Sequence, residues 1–202
     1  MTLSGILLLA ATLAFTLANG ANDGATLVAL GTRTRVIGVA AAIAILTAMV
    51  AVGPFFLGTA VATTLAHRLV AFESRDGQTA LLVAVLASLI VVLVLTRRGT
   101  PTSLTLALTG GIVGAGLGAS LPVQWTVVGE VLIMSLAAPL IGVPADWAVY
   151  KILSGPVGRV IARRSMSGAQ IGSYLLQSVA YAANDAQKMV AIAAVATAGG
   201  AR

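Results

Sequence analysis

Long apolar stretches separated by short polar segments are the main pattern of this chain. Six such stretches can be read, at 4–31, 36–65, 79–96, 101–119, 127–152 and 168–199. A helix of about 20 apolar residues crosses about 30 Å of hydrocarbon, and several of these stretches reach that length. The pattern predicts an all-α, polytopic membrane helix bundle that forms a single transmembrane domain over residues 1–202.

Composition supports helices rather than membrane strands. Hydrophobic residues make up 58% of the 202 residues and charged residues only 9%, with a mean hydropathy of +1.02. A soluble domain of this size needs far more polar surface. Aromatic residues are 4%, so the aromatic girdles of a membrane barrel are not indicated. The abundance of Ala, Val, Leu and Gly favours helices that pack closely through small residues.

The basic residues indicate an orientation in the membrane. The net charge is +6, but the arginines lie in short segments between apolar stretches rather than in one patch, so no nucleic-acid partner is expected. The positive-inside rule places those segments in the cytoplasm and the N-terminus outside, in a multi-pass protein of the plasma membrane. The arginines concerned are Arg33, Arg35, Arg97, Arg98, Arg159, Arg163 and Arg164.

Several kinds of chemistry have no support in the sequence. The chain has no cysteine and one histidine, His67, so thiolate chemistry and a histidine metal cluster are not expected. No nucleophile-base pair and no nucleotide-binding loop is recognisable. The sequence therefore predicts a protein that is not an enzyme and that holds no cofactor or structural metal.

Two Asn-Asp pairs, Asn22-Asp23 and Asn184-Asp185, are the most informative polar residues. They occur in the similar segments LANGAND (17–23) and VAYAAND (179–185). A carboxylate inside a membrane span costs several kcal/mol unless it is paired or faces a polar cavity, so these residues predict a site for ions or substrate. The glycines around the first pair suggest a helix broken at that site. The alternative is a polar cluster that only joins helices.

The order of the segments suggests an internal repeat. If 101–119 crosses the membrane once, the first and last apolar stretches run in opposite directions, and the two Asn-Asp pairs are inverted relative to each other. Inverted repeats are common in secondary transporters, which bind substrate and coupling ion where the repeats meet. We place repeat one at about 1–152 and the start of repeat two at about 168–202.

A helix N-terminus after Thr100 is a candidate anion site. Pro101 is suited to a first helical turn, and Ser103 and Thr105 supply hydroxyl groups beside free backbone N–H groups. Such an N-terminus suits a phosphate or sulfate oxyanion. The alternative is an ordinary helix cap at the membrane interface, next to Arg97 and Arg98.

Lys188 lies three residues after Asp185, so the two side chains can pair on a helix. Pairing lowers the cost of keeping both charges in the membrane. The pair is either a structural ion pair or part of a site whose charge balance changes with a ligand or a proton. The sequence leaves both interpretations open.

Together these motifs resemble the inorganic phosphate transporter family of the PiT type, which couples phosphate uptake to sodium or protons. The resemblance rests on NGANDGA at 19–25, on PTSLTL at 101–106 and on NDAQKM at 184–189. It implies low-affinity phosphate transport by alternating access, with the coupling ion H+ or Na+. It further implies substrate contacts from Ser103, Thr105, Asn22 and Asn184, cation coupling by Asp23 and Asp185, and charge balance by Lys188.

The chain also departs from the family pattern. Leu104 and Leu106 stand where the family has a threonine and a histidine, and the family hairpin is usually re-entrant. Only one such hairpin is present, since the chain ends at Arg202 soon after the second Asn-Asp pair. We therefore expect a shortened or split member. Open alternatives are a non-transporting or partner-dependent half-transporter, completed by a second chain or a homo-oligomer, and a sulfate transporter of the same fold.

Overall fold

The computed structural model describes residues 3–56, 58, 60–70, 72, 75–100 and 102–198, so the predicted helix start at Pro101 lies outside the described residues. The α-helices are α1 (Leu3–Asn19), α2 (Ala25–Thr32), α3 (Val39–Phe56), α4 (Ala60–Thr63), α5 (Arg75–Arg97), α6 (Leu104–Gly118), α7 (Trp125–Ser154), α8 (Pro156–Tyr181) and α9 (Gln187–Ala198). The structure also has three π-helical turns: Gly20–Gly24 joins α1 to α2, Ala182–Ala186 joins α8 to α9, and Thr64–Arg68 extends α4.

The predicted all-α membrane bundle is confirmed. Among the described residues, four helical spans are long and apolar enough to cross a bilayer: Leu3–Thr32, Val39–Phe56, Gly77–Arg97 and Trp125–Ser154. A shorter apolar helix, α6, accompanies them. No strand occurs in the described part of the chain, where β-structure is limited to one bridge between Val70 and Val123.

The core of the bundle is formed where α5 and α6 pack as a hairpin and α1 packs against α5 and α9. Apolar side chains from these four helices fill it because each helix has a face of long aliphatic or aromatic residues. The fully buried ones include Leu8, Phe15, Leu81, Val85, Leu108, Ile112 and Ile192. Burial of each such side chain contributes about 1.5–3 kcal/mol relative to exposure to water.

Hydrogen bonds at the beginning of α1 define the direction of its neighbours. At one end, Ser4 Oγ donates to Gln78 Oε1 over 3.4 Å, and Gln78 Nε2 donates to the carbonyl of Val195 over 2.9 Å. The beginning of α1 therefore lies beside the beginning of α5 and the end of α9. Consequently α1 and α5 run in the same direction, whereas α9 runs in the opposite direction.

The segment that follows α5 returns along the whole length of that helix. Ser88 Oγ donates to the carbonyl of Ala107 over 2.9 Å, and Gly118 lies across a shared groove from Thr79. The chain thus comes back toward the level where α5 begins. The first residues of α6 lie beside the C-terminal half of α5, inside the bundle.

The predicted apolar stretch 36–65 is not one helix. Helix α3 ends at Phe56, and α4 begins at Ala60. Gly58 adopts a φ of +81°, a conformation that other residues rarely take, and it accounts for the interruption. Hydropathy did not reveal this break because a single glycine barely alters the apolar content of a window.

Part of the segment between the predicted apolar stretches 36–65 and 79–96 is buried in the core. Leu69, Val70 and Phe72 are at most 1% exposed. The backbone N–H of Gln124 donates to the carbonyl of Leu69 over 3.0 Å, which fixes this segment against the start of α7. The segment therefore supports the bundle instead of lying in water.

Helix α8 begins well before the predicted start of the last segment at 168. Its first residue, Pro156, is preceded by Gly155 in an extended conformation. Proline is favoured at this position because a backbone N–H there would have no partner within the helix. The first half of α8 mixes basic and apolar residues, so the pattern of apolar stretches does not predict a helix before residue 168. The predicted start of repeat two lies inside this helix.

Replacing Gly111 by alanine is expected to destabilise the α5–α6 hairpin. A Cβ at Gly111 would lie 2.6 Å from the carbonyl oxygen of Ala84 in α5, so the helices must move apart. We expect the free energy of unfolding to fall by about 1–3 kcal/mol. Circular dichroism during thermal unfolding in detergent measures the change.

Gly114→Ala is the matched control, because it is in the same helix and a Cβ there has nothing within 4 Å. Since alanine favours helix over glycine by up to about 1 kcal/mol, this variant should be neutral or slightly stabilised. Equal stability of the two variants would contradict close packing at Gly111.

Candidate functional site

Both Asn-Asp pairs lie in five-residue π-helical turns, here named the first turn (Gly20–Gly24) and the second turn (Ala182–Ala186). The residues on either side of the first turn, Asn19 and Ala25, keep right-handed helical dihedrals. The predicted break in this helix is therefore wrong in detail, because the helix continues through a wider turn. Such turns insert an extra residue into a helix and occur frequently at functional sites.

The first turn is joined to the segment in front of α6. The side-chain amide of Asn22 donates to Asp23 Oδ1 over 2.9 Å and to Thr102 Oγ1 over 3.0 Å. Both donor hydrogens of this amide are thereby used. Asn22 consequently orients the neighbouring carboxylate and holds the start of α6 at the same time.

The second turn is joined to the N-terminus of α6 through a buried ion pair. Lys188 Nζ donates to Asp185 Oδ1 over 2.7 Å and to Thr105 Oγ1 over 2.7 Å. Lys188 is 1% exposed and Asp185 is 6% exposed. An ammonium group taken out of water is tolerated only when it is paired and hydrogen-bonded in this way.

The N-terminus of α6 is thus held between the two turns. Ser103 has extended dihedrals and caps the helix, with its hydroxyl oxygen accepting a hydrogen bond from the N–H of Leu106 over 3.3 Å. Thr105 Oγ1 accepts from Lys188, so its own hydroxyl hydrogen remains available as a donor. Free backbone N–H groups and hydroxyl donors at one helix end form an arrangement that can bind an oxyanion.

The charged side chains form one cluster. Asp23 interacts electrostatically with both Asp185 and Lys188, although it lies more than 160 residues before them in the chain. Two carboxylates and one ammonium give the cluster a net charge of −1 when all three are ionised. Because charges interact more strongly inside a protein than in water, this excess favours a bound cation or proton.

The structure brings together nearly all of the residues predicted for the site. Grouped around the start of α6 are Asn22, Asp23, Ser103, Thr105, Asp185 and Lys188. Asn184 is different, because it is exposed and makes no hydrogen bond in the described part of the chain. The predicted substrate contact from Asn184 therefore has no geometric support from its neighbours.

Sequence reasoning missed three residues. Thr102 accepts the hydrogen bond from Asn22. Asn19 and Tyr181 line a cavity of about 670 Å³ beside the two turns. They occupy equivalent positions in LANGAND and VAYAAND, four residues before the aspartate, and that correspondence was visible in the sequence.

The residues that could hold a cation are those with carboxylate or amide oxygen atoms near the two turns. They are Asp23, Asp185 and the amide of Asn19. No group of three or more His, Cys, Asp or Glu side chains is assembled among the described residues. The site thus offers a few carboxylate and amide oxygens rather than a metal-binding cluster.

Comparison with known proteins agrees with this site. Residues 19–162 match the model of the phosphate transporter family. A probable low-affinity inorganic phosphate transporter of Streptomyces halstedii is 35% identical over 150 residues, which are 72% of this chain and 68% of that protein. No solved structure gave a significant match.

Two mycobacterial proteins of the same description are longer than this chain. The one from Mycobacterium bovis is 34% identical over 89% of this chain and 44% of its own length. The one from Mycobacterium leprae is 34% identical over 93% of this chain and 46% of its own length. The chain thus spans less than half of these relatives. The family match and the identities show that the chain belongs to the phosphate transporter family, a family of membrane transporters rather than enzymes.

Proposed function

We propose that this chain takes part in low-affinity transport of inorganic phosphate across the plasma membrane, coupled to H+ or Na+. The observation that carries the proposal is the attachment of both Asn-Asp turns to the N-terminus of α6, through Thr102 and Thr105. The names of the relatives support phosphate as the substrate. With the N-terminus outside, the arginine-containing segments lie in the cytoplasm.

Phosphate binds, in this proposal, at the N-terminus of α6. The hydroxyls of Ser103 and Thr105 donate to phosphate oxygens, together with backbone N–H groups of the helix start. Lys188 lies 2.7 Å from Thr105 Oγ1, so a small shift of its ammonium group brings it onto the anion. Charge-assisted hydrogen bonds of this kind are about twice as strong as neutral ones.

The coupling cation binds near Asp23 and Asp185. The cluster already has one more carboxylate than ammonium, and a phosphate anion adds further negative charge. Keeping that charge away from water is unfavourable unless a cation enters with it. This requirement for charge balance gives a physical reason for coupling, and H+ and Na+ both satisfy it.

Alternating access requires that the contacts holding α6 change between states. The contacts concerned are the hydrogen bonds of Asn22 with Thr102 and of Lys188 with Thr105. They come from α1–α2 and from α9, which run in opposite directions. Movement of one of these helices relative to the other would open the start of α6 to one side of the membrane at a time.

Asp23→Asn is expected to reduce phosphate uptake by about 10- to 100-fold. A hydrogen bond to a charged group contributes about 1.5–3 kcal/mol, and each 1.4 kcal/mol is about tenfold. Radiolabelled phosphate uptake into proteoliposomes measures the effect, and excess unlabelled sulfate in a parallel assay tests the selectivity for phosphate. Strong inhibition by sulfate would favour the sulfate transporter.

Asp146→Asn is the matched control, since it makes the same change at an exposed position of α7. Its uptake should equal that of the unaltered chain. Equal uptake by both variants would remove Asp23 from the proposed site, and loss of uptake in both would point to a general effect of lost charge.

Lys188→Met is expected to destabilise the protein, because it leaves the buried carboxylate of Asp185 without its partner. Breaking a buried pair from one side costs about 3–5 kcal/mol. Chemical unfolding followed by tryptophan fluorescence measures the loss. Adding Asp185→Asn should recover much of the stability but not phosphate uptake. If the single variant is as stable as the unaltered chain, Lys188 does not compensate Asp185.

A second candidate is that transport needs further polypeptide, in a partner chain or a homo-oligomer. Helix α7 favours this candidate, since only Val127 and Val128 among its residues are buried. Most of its remaining apolar side chains are exposed, although α7 also contacts α6 and α8, and the mycobacterial relatives are about twice as long. Such a surface suits either lipid or additional helices.

Reconstitution of the chain alone distinguishes the two candidates. If more polypeptide is needed, proteoliposomes that contain only this chain will show no phosphate uptake above protein-free vesicles. Light scattering during size-exclusion chromatography in detergent will then show whether it is a monomer. Robust uptake by a monomeric chain would contradict the need for a partner.

A further inference from the structure

A cavity of about 670 Å³ lies beside the two turns, and no residue of α6 lines it. Its walls come from α1, the first turn, α2 and α3, and the second turn closes one end. Most of the wall is apolar, formed by residues such as Val28, Val39, Ile43, Leu46 and Val50. The phosphate-binding hydroxyls proposed above, Ser103 and Thr105, are not part of this wall.

The polar end of the cavity contains a hydrogen-bond acceptor without a partner. Asn19 is 3% exposed, and its Oδ1 atom has no hydrogen-bond partner among the residues that the structure describes. A buried polar atom left unpaired is unfavourable, and most such atoms in folded proteins have a partner. A ligand that donates a hydrogen bond at this position would relieve that cost.

Two further oxygen-bearing side chains lie at the same end. Asp185 lines the cavity, and only its Oδ1 atom is engaged by Lys188 in the described part of the chain. Tyr181 also lines it, with its phenol oxygen 3.7 Å from the position that a Cβ at Gly24 would take. The phenol lies near both carboxylates of the cluster. The polar end therefore presents acceptors in an environment with excess negative charge.

The polar end lies far along the span from the other end of the cavity. Asn19 is near the middle of the 30-residue span Leu3–Thr32, whereas Thr32 lines the far part of the cavity. At about 1.5 Å per residue, these two positions are about 20 Å apart. The cavity thus extends from mid-membrane toward one end of the span, with one polar end and a long apolar wall.

We propose that the cavity binds an amphiphilic primary ammonium ion with a straight hydrocarbon tail. The ammonium group donates to Asn19 Oδ1 and to the carboxylate of Asp185, and a third N–H is directed to the phenol oxygen of Tyr181. The tail lies along α2 and α3. An apolar pocket with a few convergent polar groups is the usual form of a small-molecule site, and its volume is within the range of such sites.

Binding in this proposal requires both a positively charged head group and a long apolar tail. A neutral alcohol with the same tail fits the apolar wall but brings no charge to the carboxylates. An alkyl sulfonate brings the wrong charge. A sodium ion brings the right charge but leaves the apolar wall unfilled.

The test measures binding, so its outcome does not depend on whether the chain transports phosphate. Purified protein in detergent is equilibrated by dialysis with radiolabelled n-octylammonium, with empty detergent micelles as the blank. We expect saturable binding above that blank. Thermal unfolding, followed by the fluorescence of Trp125 and Trp147, should shift upward with octylammonium and not with equal concentrations of n-octanol, octanesulfonate or sodium chloride.

Asn19→Leu separates the specific site from general partition into the micelle. The variant removes the unpaired acceptor and should weaken octylammonium binding at least tenfold while folding normally, because it adds an apolar side chain to an apolar wall. Thr197→Val, on α9 outside the cavity, should bind as the unaltered chain does. Ile43→Trp, which fills the wall, should also weaken binding.

Three results would overturn the proposal. One is octylammonium binding that does not exceed the micelle blank. Another is equal stabilisation by n-octanol or by sodium chloride, which would mean that the tail alone or an inorganic cation accounts for it. The third is unchanged binding in both Asn19→Leu and Ile43→Trp.

Discussion

The ammonium group of Lys188, held between the carboxylate of Asp185 and the hydroxyl of Thr105, is the interaction on which the arrangement of the site depends. Removing an ammonium from water is unfavourable by several kcal/mol, and these two partners together make its position tolerable. Because Asp185 and Lys188 belong to the last helices and Thr105 to α6, the pair fixes the start of α6 relative to a segment more than 80 residues away. The amide of Asn22 fixes the other side through Thr102.

The backbone of the bundle makes this meeting point possible. Gly111 lets α6 approach the carbonyl of Ala84 closely, so that the start of α6 can lie deep beside α5. The π-helical turns let the long helices continue through the polar motifs, and their backbone hydrogen bonds therefore remain largely inside the helix. In a membrane this matters because water is not available to replace them. A helix that was fully interrupted at the motif would leave more polar backbone groups to be paired elsewhere.

The sequence predicted the features that depend on composition, such as membrane spans and costly buried charges. It did not predict the features that depend on backbone conformation or on contacts between distant residues. Apolar length identified the spans around α1 and α5, and the cost of a carboxylate in lipid identified Asp23 and Asp185. It failed at Gly58, since one residue with a positive φ changes the path but hardly the hydropathy. It also failed at the start of α8, whose mixed basic and apolar residues form a helix through an amphipathic rather than a uniformly apolar pattern. The contact of Asn22 with Thr102 joins residues 80 positions apart and is decided by tertiary packing.

The two turns share a backbone form but differ in chemistry, and the difference indicates where charge is left uncompensated. In the second turn the carboxylate of Asp185 has an ammonium partner three residues later. The equivalent position after Asp23 is Thr26, whose hydroxyl donates to the carbonyl of Asn22 and brings no charge. Asp23 thus has a neutral amide as its hydrogen-bond partner. The excess negative charge of the cluster therefore belongs mainly to the first turn, and the coupling cation would gain most by binding beside Asp23 rather than by displacing Lys188.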